Sequence, residues 1–395
     1  MYGIVDVIKL LYSKGRYQYM KLVHLSDLHL GKRVNEFPML EDQKYILKEI
    51  MSLINDEKPD GVIVAGDVYD RTVPAEDAMK VWDDFLVSLS RKKIPVYAIS
   101  GNHDSAIRFS DHSALVESTG IHLAPVYDGN VRCITAEDEH GKLNIYMLPF
   151  VKPIVVRSIF PDEEINDYTD ACRVAIEHMN VNTDERNILI AHQFVTGAER
   201  CDSEEISVGG LDNVDAGVFA PFDYVALGHL HKAQSVQRDT IRYCGTPLKY
   251  SFSEVRHNKS VTMLEFGAKG KVDIREIALK PSHDMREVKG TYDELMLKDN
   301  YEGTATDDYL HVILTDENDV IDAINKMRTV YPNIMKISYD NKRTRSDMTL
   351  DEINNIEEKS PMELFDEFYE KQNGQTMDEE QSSFIKECIS SIWEG

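Results

Sequence analysis

Five times between residues 22 and 231 a short apolar run stops at acidic, amide or imidazole side chains, and this recurrence leaves the chain few folds to adopt. The run 22–25 precedes Asp27-Leu28-His29, and 62–65 precedes Asp67. The run 96–99 precedes Asn102-His103-Asp104, 188–191 precedes His192, and 224–227 precedes His229 and His231. Each run is rich in Val, Ile or Leu and bounded by turn residues, which is the pattern of a buried strand. Helical periodicity at 42–55, 75–88 and 171–179 lies between several of them. Strands alternating with helices predict a layered α/β domain. Ligands of such domains gather beyond the carboxyl ends of the strands, so segments distant in sequence can meet at one spot. Later runs at 241–244 and 261–266 have no helix between them, which predicts mixed rather than purely parallel sheets.

A chain of 395 residues is too long for one ordinary core. The tetrapeptide GAKG at 267–270 reads as a turn and a boundary. Beyond it, apolar runs at 286–288, 309–314 and 334–338 with a helical pattern at 320–331 predict a small α+β unit. From Ser346 the chain turns acidic, with helical segments at 362–371 and 379–393. Residues 1–19 are interrupted by Asp6, Lys9, Lys14 and Arg16 and lack the apolar stretch of a signal peptide, so they read as an extension ahead of the first strand. The expected division is 1–19, 20–270, 271–345 and 346–395.

No apolar run is long enough to span a bilayer, and no membrane association is expected. The five cysteines, Cys133, Cys172, Cys201, Cys244 and Cys388, are scattered and form no Cys-x-x-Cys. This argues against a disulfide scaffold or a thiolate zinc site and for the reducing cytoplasm. The net charge is −25, of which −11 falls in 346–395 (14 Asp and Glu against 3 Lys). Proteins that grip nucleic acid unaided are usually basic. A nucleic-acid substrate would therefore require metal ions or a partner to supply positive field.

Carboxylate, imidazole and amide donors without thiolate suit manganese, iron(II) or zinc. Asp27-x-His29 and His229-x-His231 place two donors on one side of an extended segment. Gly66, Gly101 and Gly228 precede donors and permit the turns that aim them. A single Asp-x-His is weak evidence, since most such pairs are solvated, and His24 reads as a core histidine. Five blocks in order, each after a strand, carry the inference of a metal site.

In these blocks the chain resembles the calcineurin-like metallophosphoesterase superfamily, whose pattern runs D-x-H, GD-x-x-D, GNH-D/E, H and GH-x-H. The resemblance implies a four-layer αββα sandwich, two packed sheets flanked by helices. It implies two divalent ions, one held by Asp27, His29, Asp67 and His231, the other by Asp67, Asn102, His192 and His229. A shared Asp67 would keep them about 3.5–4 Å apart. It also implies that His103 meets the phosphate and assists the leaving group. Asp104 is then expected to hold the His103 imidazole in its tautomer, with a turn cap as the alternative, and Asp70 to stand near Asp67 behind the ligands, with a turn or helix-cap residue as the alternative.

A closer resemblance, to the bacterial SbcD nuclease family, rests on HLSDLHLGK, GDVYDRTVPAEDA, SGNHDSAIR and YCGTPLKYSFSE at 243–254. It implies a manganese-dependent DNA nuclease, with magnesium, iron and zinc as the alternative metals. It further implies 3′–5′ double-strand exonuclease and single-strand or hairpin endonuclease activity in DNA repair, recombination and replication. Residues 271–345 would cap the DNA, and the acidic tail would dock on the coiled coil of an SbcC-type ATPase, with two nuclease subunits in a heterotetramer. Thr246 stands where serine is usual. The competing reading is a phosphatase or phosphodiesterase acting on a small phosphoester, although Thr72 replaces the glycine of the phosphatase motif. A non-catalytic scaffold is disfavoured because no expected ligand is missing.

Overall fold

Strand Gly61–Ala65 shows how the layers arise. Side chains alternate across a strand, so Val62 and Val64 face one way and Ile63 and Ala65 the other. The first pair packs with Ile50, Ile54, Trp82 and Phe85 of two helices. The second pair packs with Ile145, Ile188 and Ile190 of an opposing sheet. Strand Arg186–His192 repeats the logic in mirror image, with Leu189 and Ala191 joining Cys172, Val174 and Ala175 of a helix on the far side. The result is helix, sheet, sheet, helix, the four-layer α/β sandwich that the sequence implies. The computed structural model describes residues 19–105, 109, 117–202, 204, 213–342 and 344, with 362, 365–366, 369–370, 376–377 and 381–386 of the tail.

The first sheet runs in the order Val272–Ala278, Ser260–Phe266, Met20–Leu25, Gly61–Ala65, Val96–Ile99 and Ile121–Ala124. The second runs Gln234–Val236, Arg238–Tyr243, Tyr224–Gly228, Arg186–His192, Gly141–Met147 and Arg132–Asp138. Central pairings are parallel, whereas Met20–Leu25 with Ser260–Phe266 and Arg132–Asp138 with Gly141–Met147 are antiparallel. The sheets are mixed, as expected.

The helices follow their patterns. Leu40–Glu57 buries Ile46, Leu47, Ile50 and Ile54, and ends in left-handed Lys58 at φ 50°. Glu76–Arg91 buries Ala78, Val81, Trp82, Phe85, Leu86 and Leu89, an i, i+3, i+4 stripe. Each large apolar side chain so buried contributes roughly 1.5–3 kcal/mol. Tyr168–Glu177 is capped by Asp167, whose side chain accepts the Asp170 N–H. His24 is a core residue. Burial, with Arg242 nearby, pushes its imidazole down to about 3, and its Nδ1 lies 3.1 Å from the Tyr224 hydroxyl.

Two expectations change. GAKG is a hairpin turn within the first compact unit, not its end. Lys271 N–H bonds to Ala268 O at 2.9 Å, and the chain returns as edge strand Val272–Ala278. That unit gathers the described residues up to Glu287 and 307–311; a second gathers those of 288–306 and from 312 onward. The helix expected over 320–331 shortens to Ala323–Met327, because Asp322 sits at φ 57°, outside helical space. A three-stranded sheet runs in the order Met285–Gly290, Tyr309–Leu314, Ile334–Tyr339. Of the tail, 362, 365–366, 369–370 and 381–386 are helical, and the rest of the two expected helices lies outside the described residues, as do residues 1–18. Among the described residues no helix is long and apolar enough to cross a membrane.

Candidate metal centre

The strands ending at Leu25, Ala65, Ile99, His192 and Gly228 deliver all five polar blocks to one place. The first two strands run on as loops zipped together. Asp27 N–H bonds to Gly66 O at 3.0 Å, His29 N–H to Asp67 O at 3.0 Å and Leu30 N–H to Val68 O at 2.9 Å. Within these loops Asp27, His29 and Asp67 take φ of 52°, 44° and 50°, and His229 takes 101°. Left-handed backbone at non-glycine residues costs on the order of 1–3 kcal/mol each and persists where surrounding bonds impose it. Four such residues in one cluster mark the centre independently of side-chain chemistry.

Two glycines make the close approach possible. Gly66 sits at φ 88°, and a Cβ on it would fall 2.4 Å from His192 Nδ1. A Cβ on Gly228 would meet the backbone oxygen of Ala65 at 1.8 Å. Gly228→Ala is therefore expected to separate the two central strands and destabilise the chain by about 3 kcal/mol, at the upper end of overpacking costs. Urea unfolding measures this, and an unchanged midpoint would contradict the packing described.

The donors fall into two overlapping groups. In one, His29 Nε2 and His231 Nε2 are 3.2 Å apart, and Asp27, His29 and His231 each offer an atom within 4.8 Å of the others. In the other, Asn102 Oδ1 lies 3.0 Å from His192 Nε2 and 3.0 Å from His229 Nδ1. Asp67 stands between, its Oδ2 3.8 Å from His29 Nε2 and 3.3 Å from His192 Nε2. Asp27, His29, Asp67, His192 and His231 are each at most 2% exposed.

Burial and mutual charge set the protonation. Burial would raise the Asp67 carboxyl, but His192, His29 and His103 hold it far below the usual range. Burial would lower His192, yet Asp67 lifts it to about 9. Burial, helped by the Asp67 charge and opposed by His192, raises Asp27 to about 6.

This donor set fits divalent cations. The facing Nε2 atoms of His29 and His231 cannot both keep a lone pair pointed at the other without a cation or proton between them. Among the described residues, the groups within ion-pair distance of Asp67 are imidazoles, at 3.3 to 3.9 Å. Among the same residues His29 Nδ1 has no hydrogen-bond partner. Buried carboxylates and imidazoles at this density, without thiolate, form a hard, mixed nitrogen and oxygen shell.

His103 and Asp70 lie beside the donors. His103 Nδ1 is 3.0 Å from the backbone oxygen of Asp70, and its Nε2 is 3.9 Å from Asp67 Oδ2. The Asp70 carboxylate accepts from Lys32 Nζ at 2.8 Å and stands 3.8 Å from His29 Nδ1. Asp104 corrects the sequence reading. Its carboxylate does not hold the His103 ring but accepts three backbone N–H groups, from Val68 at 3.2 Å, Tyr69 at 2.9 Å and Gly101 at 3.0 Å. It pins the Asp67 loop to the Asn102 loop. The tautomer of His103 is set instead by the carbonyl of Asp70, because a carbonyl accepts only from an N–H.

Sequence reasoning missed the supports. Gln43 donates to His29 O at 2.7 Å, accepts from Gly31 N–H at 2.9 Å, and donates to the Tyr250 hydroxyl at 3.0 Å. Tyr250 in turn donates to Leu28 O at 2.6 Å. Together they hold the strained Asp27–His29 loop. The one clue to Gln43 was a polar side chain on the buried face of its helix.

Residues 20–233 match the family of calcineurin-like phosphoesterases, and 281–373 match a family described as the type 5 capsule protein repressor C-terminal domain. The SbcD subunit of the SbcCD nuclease from Staphylococcus epidermidis is 31% identical over 380 residues, covering 94% of this chain and 99% of that protein. Among solved structures, TT1561 of Thermus thermophilus aligns with a TM-score of 0.38 at 12% identity, over 65% of this chain and 99% of that one. A dimetal phosphatase from Danio rerio aligns at 0.39 and 11% identity, over 66% and 98%. The family match and the curated relative, on top of a converging divalent-metal donor set, place the chain among the calcineurin-like phosphoesterases and within the SbcD nuclease family: it is a phosphodiester hydrolase.

Proposed function

We propose that the chain is the DNA-cleaving subunit of an SbcCD-type complex, acting through a two-ion centre bridged by Asp67. The observation that carries this reading is the position of Asp67 Oδ2, within 3.8 Å of His29 Nε2 on one side and 3.3 Å of His192 Nε2 on the other. Asp27, His29, Asp67 and His231 would hold one ion, and Asp67, Asn102, His192 and His229 the second. Manganese is the metal of first choice, because a mixed nitrogen and oxygen shell suits it better than the thiolate-loving ions. When bound, the ions supply charge neutralisation for the phosphodiester and a nucleophile at neutral pH.

The chain's own residues then position and transfer protons. The Asp70 carbonyl keeps the proton of His103 on Nδ1, so Nε2 faces the centre and passes a proton to the leaving oxygen when the ring is protonated. Asp104 keeps the loops carrying Asp67 and Asn102 in register. Lys32, tied to Asp70, adds positive field at the rim. The activities assigned are 3′–5′ exonuclease on duplex ends and endonuclease on single strands and hairpins, in the cytoplasm, in DNA repair, recombination and replication. The second-unit residues of 288–345 would serve as the DNA-facing cap, and the nuclease subunit would work as a pair within a heterotetramer.

A partner is required by the charge. At net −25 the chain repels DNA outside its metal centre, and an SbcC-type ATPase would supply the basic track. The acidic tail from Ser346 is the segment we assign to its coiled coil. Truncation before Ser346 is expected to leave hydrolysis of a small diester unchanged and to abolish co-purification with the ATPase; retained co-purification would remove the tail from this role.

The substrate reading is tested with the intact chain and manganese, with and without the ATPase partner and ATP. Blunt duplex DNA, single-stranded circles and bis-nitrophenyl phosphate are compared. Cleavage of DNA, faster on duplex ends with partner and ATP, is expected. Cleavage of the small diester but never DNA would overturn the nuclease assignment while leaving the hydrolase standing.

A further inference from the structure

The block YCGTPLKYSFSE ends at Glu254, a carboxylate with no exposed surface and no role in the donor set. A buried carboxylate is costly unless it is paired and hydrogen-bonded. Glu254 is both. Its Oε1 lies 3.3 Å from His231 Nδ1, and its Oε2 accepts from Lys259 Nζ at 2.5 Å. Lys259, itself 8% exposed, also donates to His231 O at 2.9 Å and to Thr246 Oγ1 at 2.6 Å. From the other side Glu204 accepts the His231 N–H at 2.7 Å. His231 is thus held at its ring, its carbonyl and its amide. Thr246 supplies the hydroxyl that serine would, which accounts for the tolerance of threonine there.

We propose that Glu254 is a positioning residue for the metal centre: it takes the Nδ1 hydrogen of His231, fixes the ring's tautomer and leaves Nε2 bare toward Asp27 and His29. This rests on the two-ion reading above. An imidazole ligand uses one nitrogen for the ion, so the other must carry the hydrogen, and whatever accepts that hydrogen sets ring direction and basicity. Lys259 keeps the carboxylate charged without water, and its bond to the His231 carbonyl ties the arrangement to the backbone. His29 makes the contrast. Among the described residues its Nδ1 has no hydrogen-bond partner, the Asp70 carboxylate standing 3.8 Å away. The two facing imidazoles are therefore unequal: both are buried and held at the backbone, but the carboxylate at ring Nδ1 stands at 3.3 Å for His231 and at 3.8 Å for His29.

The test is manganese binding to the intact chain, followed by calorimetry and by electron paramagnetic resonance. Glu254→Leu removes the acceptor but alone would strand a buried lysine, so it is combined with Lys259→Met, which removes the second charge at similar volume. The apo double variant is expected to melt within a few degrees of the parent. One of the two manganese ions should bind on the order of 10–100-fold more weakly, the usual cost of losing such a support. At intermediate metal the exchange-coupled signal of a manganese pair should give way to the six-line signal of an isolated ion. Glu254→Asp, which keeps the charge but withdraws it by one methylene, should shift the same ion in the same direction. Parental affinity for both ions in both variants would overturn the proposal. A parent chain that binds fewer than two ions would instead overturn the two-ion reading on which it stands.

Discussion

Asp67→Asn is expected to lower phosphodiester hydrolysis by on the order of 10³-fold or more and to leave the chain unable to hold two manganese ions together. Asparagine preserves the shape of the side chain and can still accept the His103 N–H, which reaches Asp67 Oδ1 at 3.0 Å. What it loses is the charge that His29, His192 and His103 surround at 3.3 to 3.9 Å. Because burial opposes that charge and the imidazoles maintain it, the aspartate is the electrostatic hinge of the cluster. Its neutral counterpart cannot serve two cations. Metal analysis after dialysis, read beside the rate on bis-nitrophenyl phosphate, checks both halves. An asparagine variant that holds two ions with parental affinity would remove Asp67 from the bridging position.

His103→Ala should behave differently, losing about 10²–10⁴-fold in kcat, the usual worth of a positioned acid, while metal content stays at the parental value. His103 is half-buried at the edge of the cluster, packed edge-on against His29 with ring centroids 4.9 Å apart. Its Nδ1 is committed to the Asp70 carbonyl, so one nitrogen remains for chemistry. Asp104→Asn provides the contrast. Its carboxylate binds backbone amides rather than the ring, so the change should cost stability, about 1–3 kcal/mol for weakening buried hydrogen bonds, and should leave the alkaline limb of the kcat–pH profile, where a general acid loses its proton, in place. A shift of that limb in the Asp104 variant would restore the sequence-based view that Asp104 orients His103.

The positions of the donors were legible because of how α/β layers work. Val62 to Ala65 and Ile188 to Ala191 read as strands buried on both faces, and such strands end at a common edge. Asp67 and His192 follow directly. The conformations were not legible. Nothing in the residue types announces that Asp27, His29, Asp67 and His229 adopt positive φ, since that strain is imposed by hydrogen bonds between loops some 40 to 200 residues apart. Tyr250 was hidden for the same reason, acting on a loop 222 residues away, while Gln43 and Glu254 act over 14 and 23 residues through contacts that no sequence spacing announces. Asp104 misled because adjacency to His103 suggested a side-chain pair, whereas the turn points its carboxylate back at three amides. The edge strand Val272–Ala278 was missed because an alternating, half-exposed strand after a glycine turn looks like the start of a new unit.

On the proposed nuclease reading, the metal centre and an ATPase partner would together reconcile an acidic chain with a DNA substrate. A charge of −25 gives the free chain no electrostatic reason to meet DNA, and under that reading affinity should rise with the ATPase bound and depend steeply on salt.

The central claim is that these side chains form a single centre for two ions, and counting manganese in the intact chain tests it most directly. Equilibrium dialysis followed by elemental analysis should give two ions per chain, with the exchange-coupled resonance of a manganese pair. One ion per chain, or two with only the uncoupled six-line signal, would contradict a shared Asp67 and the mechanism built on it.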